Sequence, residues 1–467
     1  MKPLAQGSFI RRCTVDAKGA HKMSQDYRAG RAWIVTAMLT LLMLINFLDK
    51  VVVGLTAVPI MRELGLTPRE FGWIAGSFFS LFSVSAAVVG FVANRVATRW
   101  LLFTMAAIWS VIQVPFLFTS SAVIVIVCRV ILGAAEGPGT PVATHALYKW
   151  FPDRRRNLPI LVMNQGAVAG LLLAGIGIPW ISDHWGWRMN FGILGVAGLV
   201  WCAIWLVLGR EGSVARPNGT VPGASADMRV PYRVLLGDAT ILCTYLTGFV
   251  TYAGLALMLT WMPVYLQLGL GYDPIHAGRI FAVIVAVSAP VSLMFGSWSQ
   301  RLLKRGTSSR AARAVFSSAC VIGAGALLVG LLIQGLAPVQ KVLLLAIAGA
   351  MPPVIYSLHA AILAEVAPDA QRGGIIGLGT AVSSLAGLIA PVICGQLVQV
   401  YSHPVSRGYE IGFAVAGLAM MAGGVAGLIW MKPEDSARCV RMSAAFGRRV
   451  GNRQSDLPAT EQLIRKQ

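Results

Sequence analysis

Charge is scarce in this chain: Asp, Glu, Lys and Arg make up only 12% of its 467 residues, about half the ~25% usual in a soluble domain. No hydrophilic block is long enough to fold as a soluble catalytic domain. The longest polar stretches are the first thirty or so residues, a connector near 210–238 and a tail from about 432. The six histidines and seven cysteines lie far apart. With no CxxC or Cys/His spacing, neither a metal site nor a disulfide framework is expected. HExxH, GxSxG and GxxxxGK[ST] are all missing, so no metalloprotease, hydrolase or nucleotide-driven motif is on offer. Neither an enzyme nor a cofactor is expected.

What the chain has instead is apolar sequence, 56% by residue, with a mean hydropathy of +0.69. A helix crosses the hydrocarbon core with about 20 apolar residues. That length places twelve helices near 33–59, 71–93, 100–118, 122–146, 157–181, 189–209, 239–267, 277–299, 314–335, 341–365, 374–400 and 410–431. The fold class is an all-α membrane protein of twelve spans in two six-helix halves. The expected domains are an arm (1–32), a first bundle (33–209), a linker (210–238), a second bundle (239–431) and a tail (432–467). The first apolar run starts too late and runs too long for a cleaved signal peptide.

The net charge of +20 invites a nucleic-acid reading, but its distribution argues against one. Lys and Arg gather in alternate loops: the arm, Arg95/Arg99, Lys149/Arg154/Arg155/Arg156, Arg301/Lys304/Arg305/Arg310/Arg313, and the tail. That is the positive-inside pattern, and it places both termini in the cytoplasm of a plasma (inner) membrane. Expected partners are therefore the lipid bilayer and a small substrate. No nucleic acid is expected, and the monomer is expected to suffice.

Ionisable residues inside spans cost roughly 2.5–3.5 kcal/mol each on insertion scales and mark function by default. Four stand out: Asp49 and Lys50 in the first span, Arg129 and Glu136 in the fourth. Neighbours on a helix point about 100° apart, so Asp49 and Lys50 face different ways, while Asn46 and Asp49 share a face. Arg129 and Glu136, seven apart, also share one. Counting ~1.5 Å per residue from Trp33 and from Ser121 brings Asp49 and Arg129 to similar depth, with Glu136 deeper. The alternative is a static buried pair that only fixes helix register.

After the second span runs Gly90-Phe-Val-Ala-Asn94-Arg95, ending at Arg99; after the eighth runs Gly296-Ser-Trp-Ser-Gln300-Arg301. These are short basic turns at the same ordinal place in each half, and Asn94, Arg95, Arg99, Gln300 and Arg301 are candidate gating residues. Asn164 and Gln165 in span five could bind substrate hydroxyls. Trp261, Tyr265, Tyr356, Ser383 and Ser384 are candidate cavity groups in the second half. His145 and His359 read as packing histidines.

Taken together, Asn46-Phe-Leu-Asp49-Lys50, Arg129-Val-Ile-Leu-Gly133-Ala-Ala-Glu136-Gly-Pro138, Trp150-Phe151-Pro152 with its arginines, Gly186-Trp187-Arg188, Thr260-Trp-Met-Pro263-Val-Tyr265 and Leu385-Ala-Gly387-Leu-Ile-Ala390-Pro391 resemble the major facilitator superfamily. More narrowly, they resemble its anion:cation symporter branch of organic-acid transporters. The resemblance implies proton-driven alternating access, with Asp49 and Glu136 carrying the proton, Arg129 tuning them and Lys50 holding a substrate carboxylate. It favours Gln165 over Asn164 for substrate contact. The branch has an arginine where Lys50 stands, an acidic residue at Asn94, an aromatic in span two near Ser83 and an asparagine in span eleven near Ser384. The expected function is proton-coupled symport of a small organic anion, such as a sugar acid or aromatic acid. Alternatives are an exporter or antiporter of an amphipathic compound, sodium coupling, and a receptor without transport.

Overall fold

The computed structural model describes residues 29–92, 95–152, 155–212, 230–368 and 370–443. Most of the expected arm and linker, much of the tail, and Asn94 fall outside them. Every expected span is a helix: α1 (Ala29–Leu55), α2 (Pro68–Val92), α3 (Thr98–Leu117), α4 (Ala122–Tyr148), α5 (Asn157–Trp185), α6 (Trp187–Leu208), α7 (Ala239–Thr260), α8 (Pro274–Lys304), α9 (Arg310–Gly330), α10 (Pro338–Val366), α11 (Arg372–Val400) and α12 (Val405–Trp430). Eleven of these, all but α2, are long and apolar enough to cross a membrane among the described residues.

Where spans break, proline or glycine sits at the break, because proline lacks an N–H and clashes with the preceding turn. α4 breaks at Gly137-Pro138, and α10 breaks at Met351 before Pro352 and Pro353. Beyond α7, Pro263 leads into a wide π-type turn, Tyr265–Gly269. The expected boundaries differ mostly where the chain continues as a helix past the apolar stretch, as α8 does through Arg301 and Lys304. Polar side chains reach water from such an end at no cost to the backbone hydrogen bonds.

Helix pairs recur six helices later. α1 packs on α5 as α7 does on α11, α1 on α6 as α7 on α12, α2 on α4 as α8 on α10, and α3 on α6 as α9 on α12. α2 meets α11 and α5 meets α8 across the halves. Many Leu, Val and Ile side chains stay outside, Val196 and Val207 among them, as a lipid-facing surface requires.

The side where α1 begins is here the terminal face and its opposite the distal face. Within the first half, a Cβ on Gly166 or Gly170 of α5 would run into the backbone carbonyls of Thr40 and Leu44 of α1. Small residues thus set helix separation, as membrane interfaces favour. Between halves the close approaches lie distally. A Cβ at Gly72 would stand 2.7 Å from the Pro391 carbonyl oxygen, one at Gly76 2.6 Å from that of Leu388, and one at Gly175 2.6 Å from that of Gly278. Gly54 meets Leu259 in the same manner.

Candidate functional site

α1 and α4 run antiparallel and cross beside Asn46, whose Nδ2 lies 3.9 Å from where a Gly139 Cβ would be. One turn on, the Asp49 and Glu136 carboxyls come within hydrogen-bonding reach of each other. The depth expected from flush helix ends is therefore corrected. Glu136, not Arg129, stands level with Asp49, and Arg129 lies two turns, ~10 Å, further distally. On its other side, Gly133 and Gly137 seat α4 against the carbonyls of Phe78 and Phe82 of α2, a contact that no hydropathy pattern encodes.

Of the five site groups on the two helices, four are enclosed and Lys50 is half-buried. Asn46 is 1% exposed, Asp49 2%, Arg129 1% and Glu136 1%. The Arg129 guanidinium lies over the Phe78 ring, 4.5 Å from its centroid, a geometry in which the ring face attracts the cation. Its Nε and Nη1 have no hydrogen-bond partner, while its charge acts on both carboxyls through space. Lys50, half-buried, adjoins the same cluster from α1, and its charge too acts on both carboxyls. Its Nζ donates to Asn46 Oδ1 at 2.7 Å and sits 4.3 Å from the Phe47 centroid and 5.4 Å from that of Phe82. Asn46 thus serves Lys50, and its own Nδ2 is left buried and unpartnered.

Asp49 has one neutral donor, Gln113 of α3, whose Nε2 lies 2.7 Å from Oδ2. Sequence reading passed over Gln113, although a glutamine inside the apolar run 100–118 was a visible signal. Asp49 Oδ1, Gln113 Oε1 and both Glu136 oxygens have no donor. Four neighbouring acceptors without a hydrogen between them are costly in an apolar interior. A proton on either carboxyl relieves that cost, since a carboxylic acid donates.

The second-half candidates divide. Trp261 and Tyr265 are fully buried and their polar atoms are taken. Trp261 Nε1 donates to the Pro391 carbonyl at 2.9 Å, and the Tyr265 hydroxyl donates to Glu410 at 3.1 Å. With Phe71, Tyr409 and Phe413 around them, they fill the distal seal and do not line an open cleft. Tyr356 keeps a buried, unpartnered hydroxyl. Its ring meets Tyr252, which meets Phe79 of the first half, at centroid distances of 6.2 and 5.7 Å. The Ser383 hydroxyl donates to the Gly379 carbonyl, and Ser384 pairs with Ser83. His359 is buried against the Thr247 hydroxyl at 3.3 Å.

Asn164 and Gln165 are both exposed. Asn164 lies eleven residues before Gly175, within ~20° on the helix, and so on the face that meets α8. Gln165 lies eleven before Ile176, which is 58% exposed. The geometry thus puts Asn164, more than Gln165, toward the second half. Arg95, Gln300 and Arg301 are exposed on the terminal face. Arg99 donates to the Leu206 carbonyl at 2.6 Å, and its backbone N–H donates to Glu211 at 3.1 Å.

The family description "Major Facilitator Superfamily" matches residues 39–339. The chain is similar to the hexuronate transporter of Bacillus subtilis (strain 168), 23% identical over 371 residues, covering 76% of this chain and 85% of the relative. It is similar to the D-galactonate transporter of Escherichia coli O6:H1, 23% identical over 416 residues, covering 83% and 94%. Among solved structures, a bacterial homolog to the human lysosomal transporter Spinster, inward-facing and unoccupied, superposes with a TM-score of 0.67 at 18% identity. The match covers 89% of this chain and 98% of that one. It speaks to the fold alone.

Proposed function

The chain belongs to the major facilitator superfamily and is a membrane transporter; on that premise we propose that it carries a small organic anion together with protons. The observation that supports this reading is the buried acceptor cluster of Asp49, Glu136 and Gln113, which lacks only a proton. Beside it are the buried Arg129 and the half-buried Lys50, whose ammonium lies against Phe47 of α1 and Phe82 of α2. A carboxylate meeting Lys50 gains a charge-assisted bond, and the charges of Lys50 and Arg129 favour an anion over a cationic solute. Relatives named for hexuronate and D-galactonate make a sugar acid or related carboxylate the first class to test.

In this reading the structure corresponds to a state closed on the distal face, where glycine-mediated contacts lock the halves together. The cycle rocks the two six-helix bundles about the site, and proton and substrate occupancy bias the two states through differential affinity. The terminal face is cytoplasmic, by the Lys/Arg bias of its loops, in a plasma (inner) membrane.

Counterflow in proteoliposomes tests the reading, with a panel of sugar acids, other mono- and dicarboxylates and aromatic acids, alongside uptake driven by an imposed pH gradient. Exchange of at least one organic anion, with accumulation abolished by a protonophore, is expected. Uptake that follows sodium and ignores the pH gradient, or no counterflow with any anion, would overturn it.

A further inference from the structure

We propose that Gln113 is a positioning residue that gives the coupling proton a second seat, holding Asp49 in one orientation whether it is ionised or protonated. This rests on the reading of Asp49 as a proton carrier. As it stands, Gln113 Nε2 donates to Asp49 Oδ2 at 2.7 Å, and the two remaining oxygens of this side-chain pair, Asp49 Oδ1 and Gln113 Oε1, are buried without a donor. These are the two atoms that a carboxylic acid and a primary amide join when they form a closed pair. A proton on Oδ1 lets Asp49 donate to Gln113 Oε1, while Nε2–H goes on donating to Oδ2, now the carbonyl oxygen of the acid.

The proton then has two places. On Glu136 it is donated to Asp49; moved to Asp49 Oδ1, it is donated to Gln113, and Glu136 is left ionised. No bond other than O–H is made or broken. The groups that act on this choice are Glu136 and Arg129 from α4 and Lys50 from α1 itself, with Gln113 the neutral partner from α3. The amide is firmly placed. Gln113 is 1% exposed, and its Cβ lies 3.2 Å from where a Gly195 side chain on α6 would start.

Infrared difference spectroscopy of the full-length protein in lipid, titrated from acid to alkaline pH, reads this directly. The carboxylic-acid carbonyl band that disappears in Asp49→Asn belongs to Asp49. In Gln113→Leu that band is expected to persist but to move to higher wavenumber and broaden, because the carbonyl loses its N–H donor and the hydroxyl its acceptor. Proton-driven accumulation should fall at least tenfold while counterflow falls less. Gln113→Asn, which keeps the amide but shortens its reach, gives an intermediate shift. If the Asp49 band is present and neither substitution changes its position or width, Gln113 does not hold the acid and the proposal fails. If the parent protein shows no band that Asp49→Asn removes, at any pH, the reading of Asp49 as a proton carrier fails with it. A Gln113→Leu chain that does not fold leaves the Gln113→Asn spectrum to decide.

Discussion

The hydroxyls of Ser83 and Ser384 meet 2.5 Å apart, tying α2 of the first half to α11 of the second. Both are buried, and Ser384 also reaches the Ala381 carbonyl. This bond lies between the glycine contacts that close the distal face and the terminal ends of the two helices. It makes a small polar latch where the family resemblance led to an aromatic and an asparagine.

Removing one hydroxyl strands the other, whereas removing both removes the demand. Ser83→Ala or Ser384→Ala is therefore expected to lower stability by about 1 kcal/mol, and the double variant by less than the sum of the two. Thermal unfolding in detergent with a double-mutant cycle measures the coupling. Strict additivity would mean that the hydroxyls do not interact.

Alanine is the better helix former by ~1 kcal/mol, yet at Gly76 its Cβ would lie 2.6 Å from the Leu388 carbonyl oxygen and 3.3 Å from Val392 Cγ2. Gly76→Ala should push the population away from the distally closed state. A cysteine replacing Val392 is then expected to react with an impermeant thiol reagent about tenfold faster, the equivalent of ~1.4 kcal/mol. An unchanged labelling rate would show that the closure tolerates the methyl group.

Asp49 and Lys50 adjoin in sequence but should fail differently. Asp49→Asn is expected to abolish accumulation against a gradient while sparing counterflow. Lys50→Gln is expected to raise the KM of counterflow at least tenfold, and Lys50→Arg to restore part of that loss with altered selectivity, because a guanidinium binds carboxylate in a fixed fork. Intact uphill uptake in Asp49→Asn refutes the proton-coupling role.

Glu211, just beyond α6, joins three elements at the terminal face: it accepts from Lys149, from the Thr98 backbone N–H at 3.2 Å and from that of Arg99 at 3.1 Å. Burial alone would raise its carboxyl, but the bonds from Lys149, Arg99 and Thr98 outweigh it and hold the group below the ordinary value of 4.5. A folded-state value below the unfolded one means stability that is complete above about pH 4.5 and lost as pH falls through the folded value. Glu211→Gln should cost about 1 kcal/mol at neutral pH, with the difference from the parent shrinking in acid. Thermal unfolding at several pH values checks both signs.

The tie at Glu211 has a counterpart in the second half, where Glu434 accepts from the Ser309 backbone N–H at 2.6 Å ahead of α9. The sequence showed the repeat as basic turns after spans two and eight. The acidic partners, one after α6 and one after α12, became recognisable only once the chain ends of those helices lay beside α3 and α9.

Much of the candidate site was legible because its signal is local. A charged residue within an apolar run stands out without knowledge of any neighbour, so Asp49, Lys50, Arg129 and Glu136 could be named at once. Gln113 is neutral and stood out less. Trp261 and Tyr265 looked like cavity groups because an indole N–H and a phenol suit a ligand, but whether such atoms are free depends on Pro391 and Glu410, more than a hundred residues away.

The sequence by itself determined that this chain is a set of apolar helices, about where each begins and ends, and that Asp49, Lys50, Arg129 and Glu136 lie within the first and fourth of them. These follow from hydropathy and from proline and glycine acting over single turns. Only the tertiary structure decided that Glu136 rather than Arg129 stands level with Asp49, that Gln113 completes the cluster, and that the distal face is the closed one. The offset between two helices is set by where their small residues let backbones touch, as at Gly166 beside Thr40 and Gly133 beside Phe78, a property of residue pairs that neither strand of sequence contains alone.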